Sequence, residues 1–348
     1  MKEKIKVYVG MSGGVDSSLT AALLLEQGYD VTGVYMKNWT QDLPGMICPW
    51  ADDLADAKRV AVQLGIDFKV FDFENEYKHK VVDYMIDEYK NGRTPNPDIM
   101  CNQEVKFKLF LEASLEDGAD MIATGHYAQV EDGILMQAVD TNKDQTYFLY
   151  RVSEEALKKT LFPLGKFKKP EVREMAKQRG LYTATKKDSQ GICFVGKVGI
   201  RDFLSLYVTQ KPGKIIDKAT GKGIGHHDGA IFYTLGQRHG LEVGGGLPYY
   251  VVGKDMDKNE VYVTTDLNDP TLWKKSVELL SMHWINDAPQ SGTYTIRVRH
   301  RAPLIKAELS KEGDTFALDL SEAERAVAPG QSVVLYNENI CVGGGIVV

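Results

Sequence analysis

Four thiols and a polar, glycine-containing setting around two of them are the first chemistry this 348-residue sequence offers. Cys48, Cys101, Cys193 and Cys341 form no C-x-x-C pair, so neither a zinc site nor a thioredoxin-like centre is spelled out, and no metal site is expected. Four cysteines in a chain this long are not a disulfide scaffold either. Cys101 closes the loop Gly92-Arg93-Thr94-Pro95-Asn96-Pro97-Asp98-Ile99-Met100-Cys101-Asn102, whose two prolines stiffen it and delay a helix. That helix is expected to begin near Cys101 and run through Lys106 and Phe107, which would place the thiol where a helix N-terminus stabilises a thiolate. Cys193 lies in Asp188-Ser189-Gln190-Gly191-Ile192-Cys193-Phe194, again a polar turn, with Gly191 and Gly196 flanking it. Nothing around Cys48 or Cys341 resembles a site, and both are expected to be bystanders.

A second chemical feature opens the chain. Val9-Gly10-Met11-Ser12-Gly13-Gly14-Val15-Asp16-Ser17-Ser18 follows an apolar run that reads as a strand and leads into a helical pattern. A glycine turn there exposes backbone N–H groups, and the helix end adds partial positive charge, so the segment suits phosphate or pyrophosphate. Neither G-x-x-x-x-G-K-[ST] nor G-x-G-x-x-G occurs, which excludes a Walker loop and a dinucleotide fingerprint. S-G-G-V-D-S-S after a strand resembles the loop of the PP-loop ATP pyrophosphatases, which split ATP between its α and β phosphates and pass AMP to an oxygen. The plainer reading is a glycine turn capped by Ser12 or Asp16. An ATP loop and two reactive-looking thiols together call for sulfur chemistry.

The resemblance then becomes specific. T-P-N-P-D-I-M-C-N, T-G-H-Y-A, K-D-Q-T-Y-F-L, S-Q-G-I-C-F and, near the end, V-A-P-G-Q-S-V-V-L-Y and G-G-G-I are similar to the tRNA-specific 2-thiouridylases over essentially the whole chain. That resemblance implies ATP bound by Gly10, Met11, Ser12, Gly13, Gly14, Val15, Asp16 and Ser17, with adenine near Met36 and the pocket closed near Gly125. Mg²⁺ would arrive with the nucleotide. It implies a persulfide on Cys193, Cys101 as partner nucleophile and Asp98 as an acid/base group, with the target base against Asn96, Pro97 and Asp98. Contacts to tRNA are implied at His126, at Lys143, Asp144 and Gln145, at Arg299 and His300, and at Gln331. Where many relatives have tyrosine, this chain has His300, which leaves stacking at that point open. The implied partners are tRNAs for Lys, Glu and Gln and an upstream persulfide donor protein. Plainer roles stay open for single residues: Asp98 as a helix cap, His126 as a buried core histidine, Lys143 as a solvated side chain.

The elements that must hold these groups read as two textures. Up to about residue 130, short apolar runs alternate with helical periodicity: strands at 5–11, 31–35, 68–71 and 121–124, helices at 17–27, 52–64, 76–89 and 105–116. Such alternation predicts a parallel sheet covered by helices. After about Leu206 the chain turns to β-like runs between glycine-rich turns, including Thr220-Gly221-Lys222-Gly223, Gly244-Gly245-Gly246 and Gly343-Gly344-Gly345. Alternation at 294–299, 305–309, 315–320 and 332–336 predicts an antiparallel barrel. The expected layout is an α/β domain over 1–205, a small mostly-β domain over 206–275 and a β-barrel over 276–348.

With 43% hydrophobic and 26% charged residues the composition is that of an ordinary globular protein. No secretory signal and no apolar stretch of about 20 residues is present, so a cytoplasmic protein is expected. The net charge of −6 argues against an RNA partner, yet residues 143–187 carry twelve Lys/Arg against five Asp/Glu. That excess is either a solvated face or a footprint for phosphates. Two other functions remain consistent with parts of the sequence: a PP-loop synthetase acting on a small molecule, which would need no cysteine pair, and a non-catalytic RNA- or metal-binding module built on Cys101, Cys193 and Asp98.

Overall fold

The computed structural model describes residues 4–42, 48–187, 199–241, 243–244, 246–289, 291–313 and 315–348. Cys193 and the turn around it lie outside these residues.

The chain opens with β1 (Lys6–Gly10), a helix (Val15–Glu26), β2 (Asp30–Lys37), a helix (Trp50–Leu64) and β3 (Asp67–Asp72). Two long helical runs follow, each with a stretch of π geometry in its middle: Glu74–Tyr77, Lys78–Asp83 and Tyr84–Lys90, then Pro97–Met100, Cys101–Leu109 and Phe110–Glu116. β4 (Met121–Ala123), a short hairpin of β5 (Gln129–Glu131) and β6 (Ile134–Met136), β7 (Thr160–Leu161) and a helix (Lys169–Gln178) complete the first part. Strands β3-β2-β1-β4-β7 form one parallel sheet in that order. Val7 and Val9 are fully buried on one face and Val34 and Ile122 on the other, as expected for strands covered by helices on both sides. The chain winds outward from β1 to β3, then resumes on the other side at β4, so the strand order reverses between β1 and β4. Ligands of open α/β sheets bind beyond the carboxyl ends of the strands at such a point.

A four-stranded sheet of β8 (Gly213–Asp217), β9 (Gly223–His227), β10 (Tyr250–Asp255) and β11 (Glu260–Thr264) follows, in the order β10-β11-β8-β9. The last part is an antiparallel barrel of β12 (Trp273–Trp284), β13 (Gly292–Arg297), β14 (Ile305–Glu312), β15 (Thr315–Arg325), β16 (Ser332–Asn337) and β17 (Ile340–Val347), closed by the pairing of β12 with β17. The fold class read from the sequence is therefore the observed one.

Gly343-Gly344-Gly345, expected as a turn, instead lies inside β17. The reason is close approach: a Cβ on Gly344 would meet the Tyr150 ring at 2.9 Å, and one on Gly343 would meet Trp284 at 2.8 Å. Glycine is needed there so that β17 can lie close to its neighbours β12 and β16 and, at Gly344, against Tyr150 of the first domain. The β5–β6 hairpin of that domain also extends the barrel sheet, with Met136 opposite Ile340. Tyr147 and Tyr150 donate or share hydrogen bonds with Ser332 at 2.9 and 3.0 Å across the same seam.

Candidate active site

At the carboxyl end of β1 the Met11 amide donates to the Val34 carbonyl at 2.7 Å, which keeps the chain in the sheet for one more residue before it turns. Gly13 then adopts φ +71, and a side chain on it would collide with the Asp53 carbonyl. Gly14, in extended conformation, is the N-cap of the following helix and offers no side chain to its first N–H groups. Those donors remain for an anion. Ser17 Oγ accepts from the Ser12 amide at 3.2 Å and closes the turn from inside. From the other side of the strand-order reversal, Gly125 approaches so closely that a Cβ would lie 2.8 Å from the Ser17 amide nitrogen. Met36 reaches under the turn, its methyl 2.9 Å from where a Gly10 Cβ would stand. Gly10 to Ser17, Met36 and Gly125 thus pack closely around one turn.

Two residues that the sequence reading did not single out complete it. Lys169 Nζ donates to both carboxylate oxygens of Asp16 at 2.7 Å, and the Tyr127 hydroxyl donates to Asp16 Oδ1 at 2.9 Å. Lys169 is only 8% exposed, although it opens a helix and stands among exposed lysines. Its neighbourhood in Lys168-Lys169-Pro170 gave no periodic signal; only its pairing across 153 residues distinguishes it. Lys186 Nζ donates to Asp53 and Asp56 at 2.7 Å each, so the strand of chain leading towards Cys193 is tied down beside Gly13.

Cys101 departs from expectation. The helix begins four residues earlier, at Pro97, because proline is at home in a first helical turn and Asn96 caps it: Asn96 Oδ1 accepts from the Asp98 and Ile99 amides at 3.0 and 3.3 Å. Asp98 therefore lies in the first turn but is not the cap. Cys101 sits past that turn, at the start of the π segment, with 0% exposure. A substrate reaches its sulfur only when the residues over it move. Phe107, six residues on, touches the His126 ring at 5.5 Å between centroids, and His126 follows β4. Cys101 lies six residues before Phe107 in the same helical run.

The residues expected to face RNA divide into buried and exposed ones. His126 is buried, its Nδ1 2.7 Å from Thr124 Oγ1, and burial, with the charge of Lys106 second, holds its imidazole well below the ordinary range. Asp144, at 1% exposure, accepts from the Ala138 amide at 3.0 Å and from Thr146 Oγ1 at 2.8 Å, and pairs with Arg297 of β13 at 3.2 Å. It is a strut between the first domain and the barrel and has no surface to offer a ligand. Gln145 Oε1 accepts from the Tyr127 amide at 2.9 Å and so ties this strut to the Asp16 group. Lys143 is half-buried beside them.

Arg299 Nη2 donates to Glu324 at 2.6 Å and to the Arg325 carbonyl, keeping part of its guanidinium exposed. His300 is half-buried, its ring tilted against Phe148 with centroids 4.4 Å apart, and burial followed by the charges of Arg301, Arg297 and Lys143 lowers it to about 4. Gln331 Oε1 accepts from the Ala328 amide at 3.1 Å in a turn that rests on the Cys101 loop. Cys341 is fully buried and its thiol is raised by burial, with Asp144 adding to the effect; Cys48 is likewise raised by burial.

Comparison with known proteins gives the family. Residues 5–197 match the family described as tRNA methyl transferase HUP domain, 201–265 the tRNA methyl transferase PRC-barrel domain and 274–347 the aminomethyltransferase beta-barrel domain. A tRNA-specific 2-thiouridylase of Streptococcus agalactiae is 47% identical over 99% of this chain and 95% of its own. That of Streptococcus sanguinis is 46% identical over the same shares. Among solved structures, a 4-thiouridine synthetase in complex with RNA and ATP aligns at TM-score 0.39 and 19% identity, over 58% of this chain and 50% of that one, too loosely to bear on the site. Matched along its whole length by relatives of one description, the chain belongs to the tRNA-specific 2-thiouridylase family.

Proposed function

We propose that this protein is an ATP-dependent tRNA 2-thiouridylase that exchanges the carbon-2 oxygen of the wobble uridine, position 34, for sulfur. The observation that carries the reading is the glycine cradle at the reversal of strand order, together with the helical run from Pro97 that holds Cys101 and brings Phe107 against His126 just after β4. Methyl transfer, the reaction named by two of the matched family descriptions, calls for neither an adenylating cradle nor a thiol pair.

The uridine oxygen attacks the α-phosphorus of ATP and pyrophosphate leaves, its charge held by the N–H groups of Gly13 to Ser17 at the start of the first helix. Among the described residues no group of three or more His, Cys, Asp or Glu side chains could cage a metal. Mg²⁺ comes bound to the phosphates, as this hard cation commonly does with one or two protein ligands. Adenylation converts the oxygen into a leaving group. The terminal sulfur of a persulfide on Cys193 becomes bonded to carbon 2 and AMP departs. The transferred sulfur takes two electrons from the thiols, so Cys101 and Cys193 end joined as a disulfide, whether the sulfur attacks directly or is first released by Cys101. A thiol reductant restores them. Asp98 handles the proton, and Asn96 and Pro97 bound the base.

The tRNAs for Lys, Glu and Gln, a persulfide donor protein and a cytoplasmic setting belong to the same proposal; no helix among the described residues is long and apolar enough to cross a membrane. Incubation of unmodified tRNA with enzyme, ATP, Mg²⁺ and a sulfur source, read on a thiol-sensitive gel, tests it. A retarded tRNA band that requires ATP is expected; ATP cleavage without retardation would instead indicate a small-molecule synthetase.

A further inference from the structure

The loop that leads to Cys101 is held from outside its own domain. Arg93 is anchored backwards, its guanidinium donating to both Glu88 carboxylate oxygens at 2.7 and 2.5 Å. Beyond it, Pro95 and Pro97 have no N–H, and each proline drives the residue before it to extended backbone. Asn96 shows this, at φ −113 and ψ 103. A segment so restricted behaves as a stiff lever, and what fixes Thr94 fixes the Asn96 cap two residues later.

Thr94 is fixed by both other domains. Its amide donates to the Pro329 carbonyl of the barrel at 2.8 Å, and its hydroxyl lies 3.2 Å from the Thr234 hydroxyl of the central part. Thr234 is itself immobilised, its amide donating to Gln237 Oε1 at 3.0 Å and the carbonyl before it accepting from Lys254 Nζ at 2.8 Å. On the barrel side Gly330 leaves no room: at φ +87, a Cβ would lie 2.7 Å from the Thr94 nitrogen and 2.8 Å from Arg93 Cβ. Gln331, expected to meet RNA, is the next residue.

We infer that Thr94, clamped between Gly330 and Thr234, is a positioning residue that sets the Asn96–Cys101 turn for sulfur transfer. The inference rests on the 2-thiouridylase reading and adds that the barrel and the central domain act on the chemical step itself, in addition to any part they have in holding tRNA. Loss of the clamp misplaces the turn, and with it the contacts to the target base, while leaving the nucleotide cradle and the RNA-facing surface outside the turn as they are.

The experiment is single-turnover thiolation by full-length persulfide-loaded enzyme, alongside tRNA affinity by filter binding. Gly330→Ala is expected to slow thiolation about 100-fold, the cost of a misplacement near 1 Å, with tRNA affinity within about twofold of wild type. Thr94→Val and Thr234→Val should each slow it about tenfold, Thr94→Ser should restore the rate, and the double Val variant should be no slower than either single one, since they break one contact. A fall in tRNA affinity matching the fall in rate, or multiplicative losses in the double variant, would overturn the clamp. If Gly330→Ala does not fold, the threonine cycle alone decides. A wild-type enzyme that leaves tRNA unthiolated would defeat the functional reading instead, before any variant is compared.

Discussion

Replacing Asp16 by alanine should abolish AMP formation, and its pairing with Lys169 adds a consequence for stability. The variant leaves a nearly buried ammonium without its carboxylate, a change that costs several kcal/mol when the pair is deeply buried and about 1–3 kcal/mol here, where Asp16 is partly open to water. Asp16→Ala/Lys169→Met should therefore recover the urea midpoint lost in Asp16→Ala without recovering AMP. Wild-type AMP production by Asp16→Ala would remove the nucleotide reading, and a double variant no more stable than the single one would remove the loss of this ion pair as the cause. The thiols make a second series. Serine at Cys101 or Cys193 should abolish thiolation and spare tRNA binding, whereas alanine at Cys48 or Cys341 should leave the rate per folded molecule unchanged, because burial keeps both of those thiols protonated. Peptide mapping after one turnover should find a Cys101–Cys193 bridge; a Cys101→Ser protein that still thiolates would end the two-cysteine mechanism.

The helix that starts at Pro97 is the element on which the site turns, and its cap and its base contact can be separated. Asn96→Ala should cost about 1 kcal/mol of stability, as loss of a side-chain N-cap usually does. Asn96→Asp keeps the cap, so its melting point should stay near wild type. If Asn96 also meets the target base, the aspartate variant should be stable yet slow; wild-type rate in that variant would confine Asn96 to capping. The turn after β13 gives a pH prediction. His300 is held near 4 in the folded state and titrates near 6.5 when exposed, so between those values the unfolded chain binds the extra proton. Its contribution to stability is present above about pH 6.5 and is lost as pH falls towards 4. His300→Tyr, which keeps a ring against Phe148, should flatten the dependence of the urea midpoint over that window. An unchanged pH profile would mean that His300 is as exposed in the fold as out of it.

At the scale of the molecule, the excess of positive charge in residues 143–187 is smaller than its count. Lys158 pairs with Glu154, Lys169 with Asp16, Arg179 with Glu26 and Lys186 with Asp53 and Asp56. Exposed lysines at 159, 166, 168, 177 and 187 remain. With three or four phosphates contacted, the logarithm of tRNA affinity should fall with the logarithm of salt at a slope of about −2 to −4, well short of the roughly −8 to −11 that twelve contacts would give. Filter binding from low to moderate salt measures it, and a flat response would make the segment a solvated face only. The seam formed by Asp144 and Arg297, Tyr147 and Ser332, and β6 against β17 makes the barrel a fixed extension of the ATP-binding part, so such contacts would meet RNA in a set geometry.

The glycine turn, the alternation of strands and helices and the shift to short β runs were legible because each is written in neighbouring residues: a turn needs its glycines side by side, and an amphipathic face repeats every few positions. Packing decided the rest. Asp16 finds Lys169, and Asp144 finds Arg297, each across 153 residues, and no local pattern marks a partner that far away. Gly343 to Gly345 read as a turn by composition, yet the nearness of Tyr150 and Trp284 makes them the interior of a strand. The polar residues around Cys101 suggested an open thiol, while the helix that Asn96 caps turns that sulfur into the core. Local sequence specifies backbone geometry and chemical type; which side chains are withdrawn from water, and which charges meet, depends on surfaces brought together only when all three parts have folded.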